Sequence, residues 1–230
     1  MRIELPVLMF AGSIFCCGFR VSIAAIPVLL GGAVSAQSLP ATNPAPLLPP
    51  PLSHKLQGLP KEIILGPIYK QRHFCSEHTA VSWDLGDSLA TDCIVVSNWG
   101  DGFPKLYRTD GKRNEDWYGW HVDVLAPVSG KVVGTYFNNL ENTPGVFGKG
   151  QASAIQIMTP DNKMVILVHV ASIKVAPGDF VGIGRIIAQV GNSGIADAPH
   201  IHVGAYDTKS ALPLQIRWNL AEQGHISGEH

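Results

Sequence analysis

Between residues 56 and 206, short apolar runs alternate with clusters of glycine, proline, asparagine and aspartate. The runs are rich in β-branched and aromatic residues, and no stretch of useful length has the 3.6-residue period of an amphipathic helix. Strands joined by such short connections pair in antiparallel fashion. The pattern therefore predicts an all-β domain of antiparallel sheets. The predicted strands are residues 80–85, 93–97, 121–126, 130–137, 152–158, 164–170, 180–190 and 201–206.

The N-terminal segment has a different pattern. Residues 5–36 are almost wholly apolar, and Arg20 is the only charged residue among them. The segment ends in Val34-Ser35-Ala36, with small residues where a signal peptidase reads them. We therefore expect a signal peptide over residues 1–36, cleaved before Gln37, and an exported protein that is periplasmic or secreted. The alternative is an uncleaved membrane anchor, because the apolar stretch is long enough to cross a bilayer.

Proline content separates this leader from the β-rich region. Residues 37–55 include the run Leu47-Leu48-Pro49-Pro50-Pro51, and a proline-rich composition gives an extended spacer that cannot bury a core. We expect a linker over residues 37–55, one domain over residues 56–220 and a C-terminal tail over residues 221–230.

Composition narrows the class of function. The 230-residue chain has a formal net charge of −1, and no lysine- or arginine-rich face is visible in it. Nucleic acid binding needs a concentrated basic surface that displaces counterions, so nucleic acid is not an expected partner. The chain has no Gly-x-Ser-x-Gly motif, so a serine or cysteine hydrolase is not supported either.

Two cysteines lie outside the leader. In an exported chain, Cys75 and Cys93 can form one disulfide. The alternative is two separate buried thiols, because the sequence alone does not show whether the two backbones approach closely enough.

Two histidines lie one residue apart in His200-Ile201-His202. On a strand, side chains at positions i and i+2 face the same way, so the two imidazoles lie side by side. Imidazole is the commonest metal ligand and proton-transfer group near neutral pH, and two rings on a rigid strand suit a zinc site. A third histidine, His169, occupies an apolar strand where another aliphatic residue would be expected.

Four motifs around these histidines follow one another in a definite order. They are His169, Pro177-Gly178-Asp179-Phe180-Val181, Gly191-Asn192-Ser193-Gly194 and Pro199-His200-Ile201-His202. With these motifs, the stretch from Val124 to Tyr206 resembles the lysostaphin-type zinc endopeptidases of peptidoglycan. The resemblance implies an antiparallel β-sandwich around a groove, a bound Zn²⁺, and hydrolysis of the peptide cross-links of peptidoglycan.

The resemblance also implies a role for each histidine. His202 is the third zinc ligand, while His169 and His200 are the catalytic pair that orients water, takes its proton and stabilises the developing oxyanion. Peptidoglycan peptide stems are the expected partner. We expect a monomer that contacts a membrane only if the N-terminal segment is uncleaved.

The first two zinc ligands are irregular in this chain. The family usually has His-x-x-x-Asp shortly before a Val-x-Ala strand. Aligning Val124-Leu125-Ala126 with that strand places Gly111 and Glu115 where the histidine and the aspartate should be. Neither residue can reproduce the ligand, so the pair must come from elsewhere.

Two pairs can fill the gap. His78 and Asp84 can supply the ligands if residues 86–118 form an insertion, as in a subset of the family. Six residues of straight strand span about 20 Å, so this pair shares one ion only if the segment bends. His121 and Asp123 share a strand face and need no bend, but they lie where the family enters its Val-x-Ala strand. We take the first pair as the expected metal ligands and keep the second as the alternative.

Two other classes of function compete with the enzyme. Many proteins with this domain have lost a ligand and serve as scaffolds or activators of other wall hydrolases, and the irregular first pair leaves that class open. A phosphocarrier of the glucose-permease type also has a two-histidine β-sandwich, but it is cytoplasmic, so the expected export signal argues against it.

Overall fold

The computed structural model describes residues 58–80, 84–97 and 102–227. The predicted signal peptide (1–36) and the predicted linker (37–55) lie outside the described residues. Within the described ranges, the regular structure consists of strands, one α-helix (α1, Leu220–Ser227) and a 3₁₀ turn at Asn114–Asp116. The strands are β1 (Glu62–Leu65), β2 (His73–Glu77), β3 (Thr91–Val95), β4 (Asp123–Leu125), β5 (Gly130–Tyr136), β6 (Ala154–Met158), β7 (Lys163–Val168), β8 (Val170–Ala171), β9 (Phe180–Val181), β10 (Ile186–Val190), β11 (Ile201–Asp207), β12 (Leu212–Pro213) and β13 (Gln215–Trp218).

Apart from the two-stranded sheet of β1 and β13, the strands form antiparallel sheets, so the predicted all-β antiparallel class is confirmed. Within the described ranges, the one parallel pair of strands is β1 with β13. The largest sheet has the order β2-β3-β11-β7-β6-β5-β9, with β12 paired to β11 beside this path. The other two sheets have the orders β4-β10-β8 and β1-β13.

Strand β11 joins the two parts of the large sheet. It pairs with β7 on one side and with β3 on the other. In this register, His202 of β11 lies opposite both Asp92 of β3 and Val168 of β7. The strand that carries the His-x-His motif is therefore hydrogen-bonded on both edges.

The main core joins the large sheet to the two small sheets. Alternate residues of the central strands, such as Val165, Leu167 and Val203, pack in one buried cluster with Val124 of β4 and Ile187 of β10. Burying a side chain of this size stabilises the fold by roughly 1.5–3 kcal/mol. A one-residue slip would turn these side chains out of the core, so their burial fixes the register of the strands.

The opposite face of the large sheet carries a smaller buried apolar cluster and a groove beside it. Because side chains alternate along a strand, Ile166 and Val168 of β7 and His202 of β11 face away from the main core. All three line a groove on this face. Packing on one side of the sheet thus dictates which residues reach the groove on the other.

The predicted strand at 80–85 does not extend through its second part. The chain turns instead at Asp84, whose carboxylate accepts hydrogen bonds from the backbone N–H groups of Gly86 (2.8 Å) and Asp87 (3.0 Å). An aspartate that binds backbone groups two and three residues ahead favours a turn over an extended strand. The prediction of a strand that continues to Leu85 is therefore wrong.

The predicted strand at 164–170 is interrupted, because His169 has a φ of +64° and leaves the extended region between β7 and β8. The predicted segment 180–190 consists of two short strands, β9 and β10, divided by glycines as the sequence indicated. The hydrophobic pattern missed β1, β2, β12 and β13, which are between two and five residues long.

Helix α1 lies in the segment predicted as a tail. Asn219 caps it, because its Oδ1 accepts a hydrogen bond from the backbone N–H of Glu222 (3.2 Å). Gln223 fastens the helix to the domain by donating to the carbonyl of Tyr69 (3.3 Å). No helix in the described ranges is long and apolar enough to cross a membrane.

Cys75 and Cys93 are bonded, so the predicted disulfide is confirmed. The two residues lie directly opposite each other in the β2–β3 hairpin. The hydroxyl of buried Tyr69 donates to the carbonyl of Cys93 (2.9 Å) and secures the same strand from the core side. The hairpin at the edge of the large sheet is thus fixed by a covalent bond as well as by its backbone ladder.

Candidate metal centre and active site

Three strands bring His78, Asp92 and His202 together on the face of the sheet that carries the groove. His78 directly follows β2, Asp92 lies on β3, and His202 lies opposite Asp92 on β11. One potential ligand atom from each residue lies within 4.8 Å of the other two. We call these three residues the metal group.

The Asp92 carboxylate lies between the two imidazoles. Its Oδ2 is 3.0 Å from His78 Nε2, and its Oδ1 is 2.9 Å from His202 Nδ1. Ligand atoms on a tetrahedral zinc ion, with bonds of ~2.0–2.1 Å, lie about 3.3 Å apart. Two imidazole nitrogens and one carboxylate oxygen also form the donor set of a catalytic zinc site that keeps a position open. The metal group fits Zn²⁺ in both spacing and chemistry.

Asp84, the carboxylate expected as a ligand, lies outside the metal group. It lines the same groove, but its Oδ1 is occupied by the backbone N–H groups of its own turn. The carboxylate that lies in the metal group is that of Asp92, 14 residues after His78. His78 directly follows β2 and lies beside Asp92 on the paired strand β3. The distance of about 20 Å that separates two residues six positions apart on one straight strand therefore does not separate this pair.

The alternative pair also lies outside the metal group. The side chain of His121 is exposed and its ring stacks on that of Trp120, with 4.1 Å between centroids. The carboxylate of Asp123 forms an ion pair with Lys174, with Oδ1 2.9 Å from Nζ. Both residues have local partners away from the groove.

His169 lies at the break between β7 and β8. Its ring is buried, and Nδ1 donates a hydrogen bond to the carbonyl oxygen of Ser193 (2.8 Å). Because a carbonyl can only accept, this bond fixes the neutral tautomer in which Nε2 is a proton acceptor. The left-handed backbone of His169 is strained for a residue other than glycine, and such strain occurs mostly at functional sites.

His200 immediately precedes β11 and has the same arrangement. Its Nδ1 donates to the carbonyl oxygen of Ala198 (2.8 Å), and its Nε2 lies 3.6 Å from Asp92 Oδ1. The His169 and His200 rings lie 4.6 Å apart between centroids. The structure therefore brings the two predicted catalytic imidazoles together beside the metal group.

Burial and neighbouring charges shift the pKa values of these four groups in different directions. Burial lowers the pKa of His169 to about 3 and also lowers the pKa of His200. Burial alone would lower the pKa of His202, but its hydrogen bond and charge attraction with Asp92 outweigh burial and raise it. Burial opposes ionisation of Asp92, yet its histidine partners hold the pKa of this carboxyl well below its usual range.

A groove of about 690 Å³ contains the metal group together with His169 and His200. Phe147 and Ile195 line it and are exposed by 64% and 73%. In the described part of the chain, its lining includes aspartates but no lysine or arginine. The groove thus combines a polar floor with apolar side chains that are free to contact a ligand.

Three asparagines hold the wall of this groove. Asn142 donates from Nδ2 to the carbonyls of Gly194 (2.9 Å) and Ala196 (2.8 Å). Asn192 donates from Nδ2 to the side-chain oxygen of Asn114 (2.9 Å). This network ties the wall loop to the glycine turn behind the catalytic histidine candidates.

Asp92 was missed in the sequence, although a signal for it existed. Pairing Cys75 with Cys93 in an antiparallel hairpin aligns Ser76 with Asp92 and carries His78 to the same end of the hairpin. The cysteine pair therefore also indicated the carboxylate partner of His78.

Three solved structures illustrate what the chain is similar to. The catalytic domain of the prophage-encoded M23 protein EnpA from Enterococcus faecalis has 16% identity, with 63% of this chain and 81% of that chain covered and a TM-score of 0.36. The catalytic domain of lysostaphin from Staphylococcus simulans has 18% identity, coverage of 59% and 80%, and a TM-score of 0.35. A zinc-containing peptidase from Vibrio cholerae has 18% identity, coverage of 54% and 45%, and a TM-score of 0.32.

No curated protein matches the chain in sequence. Residues 119–213 match the family model described as peptidase family M23. This range contains His169, His200 and His202, whereas His78 and Asp92 precede it. This range is thus similar to peptidase family M23, a family of zinc metallopeptidases, and the resemblance and the Zn²⁺ cofactor predicted from the sequence are confirmed.

Proposed function

We propose that this protein is an exported zinc endopeptidase that hydrolyses the peptide cross-links of bacterial peptidoglycan. The supporting observation is the convergence of the metal group with His169 and His200 in one groove. A scaffold that only bound the wall would not need two proton-transfer groups beside a set of metal donors. The complete set of five side chains therefore favours the enzyme over the scaffold.

In this proposal, His78 Nε2, the Asp92 carboxylate and His202 Nδ1 hold the ion. Zinc, when bound, supplies a Lewis acid that polarises a carbonyl and lowers the pKa of water. Asp92 adds a negative charge between the two imidazoles, which keeps the donor set suited to a dication.

His169 and His200 act on protons. Both rings are neutral near pH 7, because burial lowers the pKa of each, and their Nδ1–H groups are already committed to backbone carbonyls. Each Nε2 can therefore accept a proton from water and return it to the leaving amine. Once protonated, the same imidazoles can stabilise negative charge that develops on the scissile carbonyl oxygen.

The groove walls are suited to an extended peptide. Phe147 and Ile195 offer apolar contact on exposed side chains, and Asp197 adds a carboxylate to the lining. The stem peptides of peptidoglycan, which carry both methyl groups and amines, match this mixture. We propose that the leader (1–36) and the linker (37–55) deliver the domain to the wall.

The direct test uses purified protein and peptidoglycan sacculi. We expect release of soluble muropeptides and of new amino termini, which mass spectrometry of the products can assign to one peptide bond. A zinc chelator should stop the release, and added zinc should restore it. His169→Ala serves as the inactive variant and His121→Ala as the control, since the latter exchanges an exposed histidine away from the groove.

Two results would contradict the proposal. Protein that holds stoichiometric zinc but never solubilises peptidoglycan would favour a scaffold or activator of other wall hydrolases. Release that persists equally in His169→Ala would show that a contaminating hydrolase, and not this groove, cuts the substrate.

A further inference from the structure

The turn that closes the β2–β3 loop contacts both histidines of the metal group. The Asp87 carboxylate lies 2.9 Å from His78 Nδ1, and the Gly86 carbonyl oxygen lies 2.9 Å from His202 Nε2. In each ring, these are the nitrogens that do not face Asp92. A single short segment thus binds the outer nitrogen of both imidazoles.

We propose that residues 84–88 form a positioning turn, in which Asp87 orients His78, Gly86 orients His202, and Asp84 sets the shape that allows both contacts. This inference rests on the proposed function only for the identity of the ion. It gives Asp84, the ligand expected from the sequence, a different task in the same site.

The contacts of Asp84 support that task. Its carboxylate accepts from the backbone N–H groups of Gly86 and Asp87, and its carbonyl accepts from the N–H of Ser88 (3.0 Å). Ser88 in turn donates from Oγ to the carbonyl of Ala80 (3.0 Å). These bonds direct the Gly86 carbonyl and the Asp87 side chain toward the metal group.

Gly204 of strand β11 leaves space for the turn. A Cβ atom added at Gly204 would collide with the backbone of Gly86, including its carbonyl oxygen. Gly204 lies two residues after His202 and on the same face of β11. The absence of a side chain at this position lets the Gly86 carbonyl come close enough to accept from His202.

Chemistry explains why such contacts matter. A histidine that ligates a metal through one nitrogen is fixed in ring orientation and tautomer by a hydrogen bond from its other N–H, and a carboxylate partner also makes it a better donor. Losing such a partner typically weakens metal binding by about 10- to 100-fold. His78 has a carboxylate in this role and His202 has a carbonyl, so Asp87 is the side chain whose removal should have the larger effect.

The test measures zinc dissociation constants by chelator competition for the wild-type protein, Asp87→Ala, Asp87→Asn and Asp84→Ala. We expect Asp87→Ala to bind zinc about 10- to 100-fold more weakly. Asp87→Asn should fall between Asp87→Ala and the wild type, because the amide oxygen accepts but carries no charge. Asp84→Ala should weaken binding by disordering the turn.

Two aspartates provide matched controls. Asp207 accepts backbone bonds from Lys209 and Ser210 in a similar turn (2.9 and 2.8 Å), and Asp123 forms its ion pair with Lys174. Asp207→Ala controls for Asp84→Ala, and Asp123→Ala controls for Asp87→Ala. Both controls should keep the wild-type zinc affinity.

The cobalt-substituted protein separates positioning from general stability. We expect the visible ligand-field bands of bound Co²⁺ to shift in Asp87→Ala, because the His78 ring changes orientation. Unchanged zinc affinity in Asp87→Ala would overturn the inference. So would weaker binding with an unchanged cobalt spectrum and a lower apoprotein melting temperature, which would indicate a structural role only.

The inference and the proposed function can fail separately. If the wild type binds zinc and the variants behave as expected while no peptidoglycan is cut, the proposed function fails and the positioning turn stands. If peptidoglycan is cut normally by an Asp87→Ala variant with wild-type zinc affinity, the positioning turn fails and the proposed function stands. A wild type that binds no zinc overturns both.

Discussion

The two halves of the candidate site are built in different ways. The second half, His169, His200 and His202, lies on strands and turns backed by the main core, within the range that matches peptidase family M23. The first half, His78 and Asp92, lies on a hairpin at the edge of the large sheet, before that range. Apolar packing positions the second half, whereas a disulfide and individual hydrogen bonds position the first half.

This difference shows where each half is vulnerable. Packing of many apolar side chains holds the second half, so no single polar contact dominates its position. The first half depends on the Cys75–Cys93 disulfide, the ladder from β3 to β11 and the bonds of the 84–88 turn. Single changes in the first half should therefore affect metal binding, whereas changes at His169 or His200 in the second half should affect proton transfer.

The largest effect is expected at the join between the two halves. Asp92→Ala and His202→Ala should each lose zinc and, with it, all measurable hydrolysis, because removing one of three protein ligands forfeits much of the binding energy of the ion. Metal analysis after dialysis and muropeptide release check both losses. Asp92→Ala protein that retains one zinc per chain would show that the hairpin does not contribute to the metal centre.

A change confined to the second half should separate binding from chemistry. His169→Ala should keep zinc but lose about 10²- to 10⁴-fold in hydrolysis rate, because a proton-transfer group is removed while the metal group is untouched. Zinc content and rate are measured on the same sample. Loss of zinc in this variant would mean that His169 is a ligand and that the division between the halves is misplaced.

Opening the disulfide should weaken the first half selectively. The cross-link closes a loop of 18 residues, and its loss in a Cys75→Ala/Cys93→Ala variant should destabilise the protein by about 3 kcal/mol. Urea denaturation of the zinc-free protein measures this loss. Zinc affinity should fall as well. Reduction of the wild type should reproduce both effects, and the same reductant should leave the double variant unchanged.

Acid should act on the second half of the zinc-free protein. The folded pKa of His169 is lowered to about 3 from 6.5, so between these values the unfolded chain binds a proton that the folded chain does not. Its contribution to stability is thus fully present above pH 6.5 and is lost as the pH falls toward 3. His169→Gln should show a flatter dependence of unfolding free energy on pH than the wild type in this window. Parallel curves would contradict the assignment.

The smallest effect concerns the wall of the groove. Phe147→Ala should raise KM by about 5-fold and leave kcat unchanged, since an apolar contact worth ~1 kcal/mol is lost equally from substrate and transition state. Phe180 is similarly exposed but does not line the groove, so Phe180→Ala is the matched control. Equal KM values for the two variants would remove Phe147 from the substrate contact.

The sequence sufficed for the second half because its geometry follows from strand alternation. His200 directly precedes β11 and His202 lies on it, with one residue between them, so their side chains point to the same face. The glycine turns around them mark the ends of strands. The interruption at His169 was not predictable from alternation, because an alternating pattern does not indicate a single residue with a left-handed backbone.

The first half required information that local patterns do not carry. Asp84 and Asp92 are eight positions apart in the sequence, and only the pairing of β2 with β3 decides which one faces His78. Asp84 satisfies its carboxylate within its own turn, a local preference that competed with the expected strand. Phe147 lies in a loop, where no hydrophobic period indicates which wall it forms.

The distance along the chain between Asp92 and His202 has a consequence for assembly. The two residues are 110 positions apart, and they meet only when β11, which lies near the C-terminal end of the domain, pairs with β3. Contacts of such high sequence separation form slowly and only after the intervening loop entropy is overcome. A partly synthesised or truncated chain that lacks β11 also lacks His202, so the metal group is complete only once β11 has paired with β3.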